Sequence, residues 1–429
     1  MSVPVSYSAD NNRFVRHRFL SLSPTSTTIF QRTFDLLLNK YHQPIRVNEE
    51  TGEIQEIKPP RFDKHKGFLS DKARRQLSRS VYTLMGLVNE NILIDGEHKD
   101  MITFATLTLA SSQIKSITES GIEYYATDTE IKSKCFNQLM TELRTDKQVD
   151  NYVSVCEKQL NGSIHFHILL DQRIDYEWLR IRWNSLQNKF GFVDRYTQRM
   201  SQLTKDQYVA LRTKEYKKKA SKDDLRKIDN AWEFGQKTGW TNPNSTDIES
   251  LKGIDNIGAY ISKYMSKGYG HTDAEMKAQI SKIAGKIEIN DLIAKSFYQI
   301  EGRIWSCSQT VSKARKCIVE AEDYLIDEID NLVDKEKNLK VFVEDRFTTV
   351  LHNFKHIYIY CNEIFKTYTN HLKAVVHYAN SVVDTAIDCC SDSHFLSSVL
   401  DKESSSSDLS NPLESIKKVV QTRLNLSYA

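Results

Sequence analysis

The stretch from Asn161 to Leu170, NGSIHFHILL, constrains this chain more than any other. His165 and His167 flank Phe166 in a run that otherwise reads as a buried β-strand. Strand side chains alternate between faces, so both imidazoles emerge on the same side. The opposite face, Ile164, Phe166, Ile168 and Leu170, is apolar enough to anchor the strand in a core and hold the imidazoles rigidly. Two histidines one strand step apart make half of a metal site. H-x-H also occurs in strands for purely structural reasons, so the remaining ligands decide the matter.

Upstream, Tyr152 to Gln159 (YVSVCEKQ) reads as a second strand, and the two form a β-hairpin whose turn contains Asn161-Gly162. Two registers are open. A two-residue Asn161-Gly162 turn places Lys158 opposite His165 and Cys156 opposite His167. A three-residue Leu160-Asn161-Gly162 loop with a left-handed Gly162 places Glu157 opposite His165. The second is preferred, because it sets a carboxylate beside two imidazoles and keeps a lysine away from them. Cys156 then faces away from Glu157 and belongs to the core. A His, His, Glu set with open positions suits Mg²⁺ or Mn²⁺ meeting a phosphate oxygen, and Zn²⁺ also accepts such ligands.

The length of 429 residues implies two or three domains. No run of about 18 apolar residues and no signal peptide is found, which points to an intracellular protein with no membrane partner. Seven scattered cysteines without a CxxC pair fit a reducing compartment and exclude a disulfide framework. From Ile318 onward there are 11 Lys and Arg against 18 Asp and Glu, so the net charge of +3 conceals a basic body and an acidic C-terminal region. The body suits a polyanion.

Residues 1–69, with the Pro59-Pro60 pair, are expected to hold little regular structure. From Ser70, a plausible N-cap, Leu77, Val81, Leu84 and Val88 predict an amphipathic helix to about Asn89, with Arg74 and Arg75 on a basic face. Thr103 to Leu109 (TFATLTL) predicts a central strand, Glu130 to Arg144 a helix, and Tyr176 to Lys189 another helix with Trp178, Ile181, Trp183, Leu186 and Phe190 as its stripe. Residues 191–239 form a basic insertion around Lys217, Lys218 and Lys219, where Tyr208 and Tyr216 permit base stacking. A strand near Asp247 to Leu251 precedes a helix from about Asp255 to Gly268 or Gly270. On it Tyr260, Lys263, Tyr264 and Lys267 share one side at i, i+3, i+4 and i+7, beside an apolar side of Ile257, Ile261 and Met265. Two tyrosines at this spacing commonly just pack. Their lysines matter because a phenol with a pKa near 10 needs nearby positive charge to act as a nucleophile.

Taken together, FATLTL, a strand carrying Glu before a turn and HFH, and YISKYMSK resemble the HUH endonuclease superfamily of rolling-circle replication initiators. The paired tyrosines are similar to its two-tyrosine group, which includes the gene A replication proteins of small single-stranded DNA phages and related plasmid initiators. The resemblance covers about Met101 to Lys267. It implies that His165, His167 and Glu157 bind the metal, and that Tyr260 or Tyr264 attacks the scissile phosphate to leave a 5′-phosphotyrosine and a free 3′-OH. The second tyrosine acts in the next strand transfer, with Lys263 and Lys267 supporting the pair. Lys217, Lys218, Lys219, Arg74 and Arg75 are the expected DNA contacts.

The implied architecture is α+β: a ferredoxin-like antiparallel sheet flanked by helices at 98–317, preceded by an arm and basic helix at 1–97 and followed by an acidic α-helical region at 318–429. There Tyr324, Ile326, Ile329, Val333 and Leu339 suggest helix, as does the stretch from Phe347 to Ala386, and Trp305-Ser306-Cys307-Ser308 closes the core. Expected partners are a single-stranded, hairpin-containing DNA origin and a host helicase and polymerase, since no GxxxxGK[ST] loop is present. The expected location is the cytoplasm of a bacterial host. A two-tyrosine transposase would use the same residues, and a non-catalytic nucleic-acid-binding module would need only the sheet.

Overall fold

The histidine strand lies at the middle of a five-stranded antiparallel sheet with the order Thr246–Ile248, Thr103–Leu107, Ile164–Leu170, Tyr152–Lys158, Trp305–Cys307. The computed structural model describes residues 14–35, 40–41, 45–47, 54–56, 69–118, 121–214, 221–251, 257–266, 297–344 and 347–391. Thr103–Leu107 is β-branched and apolar and has a neighbour on each side, as its composition predicts. Trp305–Cys307 completes one edge, the role expected of the segment around it.

One face of this sheet is fully apolar. Ile164, Phe166, Ile168 and Leu170 are all buried, and Phe166 stacks on Phe136 at 4.5 Å between ring centroids and meets the edge of Trp183 at 5.9 Å. Phe136 comes from a helical run, Asp128–Ile131, Lys132–Phe136 and Asn137–Lys147, whose middle turn is π-helical and whose start is a Thr127–Glu130 capping box. Trp183 comes from the helix Tyr176–Gln187, which buries Leu179, Trp183 and Leu186. Ile181, assigned to that stripe from sequence, is 50% exposed. Leu179 and Leu186 lie four residues before and three after Trp183, whereas Ile181, two before it, points to the far side.

The N-terminal segment departs from expectation. Phe14–Ser23 and Ser26–Asp35 form an antiparallel hairpin, paired from Phe14 with Asp35 to Ser23 with Ser26. Its remaining partners are Cys317–Glu320 on one side and Phe347–Leu351 on the other, followed by Lys340–Glu344, in a six-stranded sheet that also includes Lys40–Tyr41. A strand stabilised by residues some 300 positions away leaves little local signature. The C-terminal region is likewise not helical throughout: Cys317–Glu320, Lys340–Glu344 and Phe347–Leu351 are strands around the helix Asp323–Lys335. That helix buries Leu325, Ile329 and Leu332, while Tyr324 is exposed, so the true stripe is one residue off the expected one. Helices Phe354–Tyr360 and Asn362–Ser391 follow. Residues 1–368 form one compact unit and 369–429 a second.

The helix Asp71–Val88 starts on Ser70, whose side chain accepts from the Ala73 N–H, and ends at Asn89, as its pattern predicts. It buries Leu77, Val81 and Leu84 in the same core as the central sheet. Within 191–239, helices Phe192–Ser201, Lys205–Thr213 and Lys222–Thr238 enclose a small core of Met200, Tyr208, Ile228 and Trp240. Tyr208 is 3% exposed and packed between Trp232 and Trp240, so it is a core residue and not a base-stacking one. Among the described residues no helix is long and apolar enough to cross a membrane.

Candidate metal centre and tyrosine helix

The hairpin adopts the three-residue register. Glu157 stands opposite His165 and Lys158 opposite Ile164; Gln159 donates its N–H to the Ser163 carbonyl, and Gly162 closes the loop at φ +76°. Glycine is needed there twice over, because a Cβ would also meet Ile114 Cδ1 and Phe297 Cζ at 2.7 Å. The register is held from below as well. Lys158 is buried on the apolar face, where its ammonium lies 2.7 Å from Asp128 Oδ1, and Gln113 donates to the same oxygen at 2.9 Å. A slip of one residue would strand that lysine and turn Glu157 inward. Cys156 is buried at 4% exposure, as expected of a core residue.

On the other face three ligand atoms converge. Glu157 Oε1 is 2.6 Å from His165 Nε2 and 3.2 Å from His167 Nε2, and one ligand atom from each residue lies within 4.8 Å of the others. The site opens to solvent through the carboxylate, whose side chain is 33% exposed, while the imidazoles are 13% and 9% exposed. Burial pushes the Glu157 carboxyl up, but hydrogen bonds from His165 and His167 outweigh it and hold the pKa down to about 2. Burial lowers the His165 pKa against the opposing pull of Glu157, which favours the neutral ring, the form that ligates.

Thr106 completes the arrangement and was not singled out by sequence. It stands opposite His167 on the neighbouring strand, with its Oγ1 2.9 Å from His167 Nδ1. With Nδ1–H donating to Thr106, His167 presents a bare Nε2 to the carboxylate. Two lone pairs face to face call for a cation between them, which is the donor chemistry of a divalent metal site. The available signal was the polar threonine at the middle of FATLTL.

The tyrosine helix, Ile257–Ser266, meets the same face. Asp247 stands opposite Thr106, and the Glu249 N–H bonds the Phe104 carbonyl, so Asp247 and Glu249 extend the alternation on the histidine side of the sheet. The Tyr260 hydroxyl lies 3.4 Å from Glu249 Oε2. Tyr260 is half-buried, Ile261 fully buried and Lys263 exposed. The helix packs on Asp71–Val88, where Ser78 Oγ donates to Ser262 Oγ at 3.2 Å and Gly258 approaches Tyr82 so closely that a Cβ would sit 2.1 Å from its ring.

Residues 102–269 match the model of a replication-associated protein family, the ORF2 group. No curated protein and no solved structure gives a significant match. The similarity to replication-associated proteins runs from the Thr103–Leu107 strand through the hairpin and the insertion to the end of the tyrosine helix. It supports relationship to a rolling-circle replication initiator family and a replication-related role for the chain.

Of the other expected site residues, Tyr264 belongs to the tyrosine helix, but its side chain lies outside the described residues, as do Lys267, Lys217, Lys218, Lys219 and Tyr216. Arg74 is half-buried and Arg75 exposed on the first turns of Asp71–Val88.

Proposed function

We propose that the chain nicks and rejoins single-stranded DNA at a replication origin through a tyrosine–DNA intermediate, starting and ending rolling-circle replication. The observation that carries this reading is the convergence of Glu157, His165 and His167 on the sheet face that also meets Tyr260. His165, His167 and Glu157 would hold a divalent cation, Mg²⁺ or Mn²⁺, which supplies Lewis-acid polarisation of the scissile phosphate.

Tyr260 or Tyr264 is the nucleophile. Its hydroxyl proton leaves as the phenolic oxygen bonds to phosphorus, the bond from phosphorus to the 3′ oxygen breaks, and that oxygen leaves with the electron pair and takes up a proton. The products are a 5′-phosphotyrosine and a free 3′-OH that a host polymerase can extend. Glu249 is positioned to orient the Tyr260 hydroxyl and accept its proton. The i, i+4 spacing lets the second tyrosine reach the same phosphate in the following transfer. Lys263 and Lys267 stabilise phenolate or phosphate, and the basic residues Lys217, Lys218, Lys219, Arg74 and Arg75 hold the strand.

The test is incubation of the full chain with Mn²⁺ and single-stranded DNA tiled from the replicon that encodes it. A covalent protein–DNA adduct is expected for the wild type and lost in the Tyr260→Phe, Tyr264→Phe double variant. An adduct undiminished in that variant, or none with any tile, would overturn the reading.

A further inference from the structure

We propose that the edge strand Lys340–Glu344 is a homodimer interface, at which a second copy of the chain adds its own Lys340–Glu344 antiparallel to the first. The strand ends the six-stranded sheet and, among the described residues, pairs only with Phe347–Leu351. Its outer row of N–H and C=O groups is therefore open to another strand.

Nothing in the strand blunts that edge. KVFVE contains no proline, and its pairing runs unbroken from Lys340 with Leu351 to Glu344 with Phe347. Its centre is apolar on both faces: Val341 is 39%, Phe342 50% and Val343 64% exposed. Phe347 and Leu351, opposite the two ends, are 43% and 39% exposed and extend the apolar surface on the Phe342 side. A strand so exposed leaves apolar area in water that a paired strand would cover.

The occupant follows from the order of the residues. KVFVE is self-complementary when read antiparallel. A two-fold axis through Phe342 sets Phe342 across from the partner's Phe342, Val341 across from the partner's Val343, and Lys340 across from the partner's Glu344. Residues an even number apart share both a face and a hydrogen-bonding direction, so this register satisfies the alternation of an antiparallel ladder. Both ends then carry an opposite-charge cross-strand pair, and the axis repeats each pair once. A peptide from an unrelated protein would impose no such symmetry on the sequence, which is why a second copy is the occupant.

The interface is small, so self-association belongs in the weak range, to be examined from roughly 1 to 100 μM. Sedimentation equilibrium of the full chain is expected to show a monomer–dimer equilibrium. Lys340→Glu alone, or Glu344→Lys alone, sets like charges across the axis at both ends and should weaken dimerisation by about tenfold. The double exchange Lys340→Glu, Glu344→Lys should restore it to within about threefold of the wild type. Both positions are solvent-exposed, and far-UV circular dichroism checks that each variant is folded. A wild type that stays monomeric throughout, or a dimer indifferent to the single exchanges, would overturn the proposal. Neither outcome bears on tyrosine–DNA adduct formation.

Discussion

Thr106 Oγ1 lies 2.9 Å from His167 Nδ1, across a strand pair in which the two residues are direct partners. The contact fixes the ring and its tautomer, leaving Nε2 to point at Glu157. Thr106→Val keeps the shape of the strand and removes the partner. Metal affinity is expected to fall by roughly 10- to 100-fold, with the unfolding midpoint in EDTA little changed. Calorimetric titration with Mn²⁺ reads the first quantity and a thermal melt the second.

Glu157→Gln should behave differently. The amide keeps the side chain's length but loses the charge that balances a cation between two imidazoles. Wild-type protein is expected to gain thermal stability on adding Mn²⁺ and to lose the gain on adding EDTA, because a ligand bound only by the folded state stabilises it by mass action. In Glu157→Gln the Mn²⁺-dependent shift should disappear. A shift of wild-type size in that variant would remove the carboxylate from the ligand set.

Gly162 holds the loop that sets the histidine register. Alanine there would adopt φ +76° and meet Ile114 and Phe297 at 2.7 Å. Left-handed strain and overpacking together are expected to cost about 2 to 4 kcal/mol in urea unfolding. Part of the Mn²⁺ affinity should go with it, since Glu157 is placed by this loop.

A pH test concerns the second sheet. His352 is buried, with Nε2 3.0 Å from Thr27 Oγ1 and Nδ1 3.3 Å from the Asn353 carbonyl, so one neutral tautomer satisfies both contacts. Burial pushes its pKa down to about 4 against the opposing pull of the Asn353 carbonyl. Below about 6.5 the unfolded chain takes up a proton that the folded chain refuses until about 4, so stability falls as pH is lowered across that window. The loss attributable to this residue is about 3 kcal/mol. His352→Gln should show a correspondingly flatter dependence of unfolding free energy between about pH 7 and about pH 4.5.

Much of the candidate metal centre was legible without coordinates. HFH in an apolar strand forces two imidazoles onto one face, and the left-handed preference of Gly162 selects the loop that brings Glu157 opposite His165. The cap at Ser70 and the helix it starts were equally local. Tyr208 shows the limit: an aromatic beside lysines reads as a stacking residue, yet the fold places it between two tryptophans.

Local chemistry thus determined the elements that carry their own signal: period-two alternation, a glycine turn, a capped amphipathic helix, a pair of tyrosines four residues apart. Tertiary structure alone decided the rest. Thr106 becomes a partner of His167 only through a strand pairing 61 residues apart, and Glu249 reaches Tyr260 only because a short strand joins the sheet beside Thr103–Leu107. The N-terminal hairpin acquires its neighbours from beyond residue 316. Such contacts depend on which chain segments meet in space, and the energy that selects them comes from burying surfaces that no single segment contains.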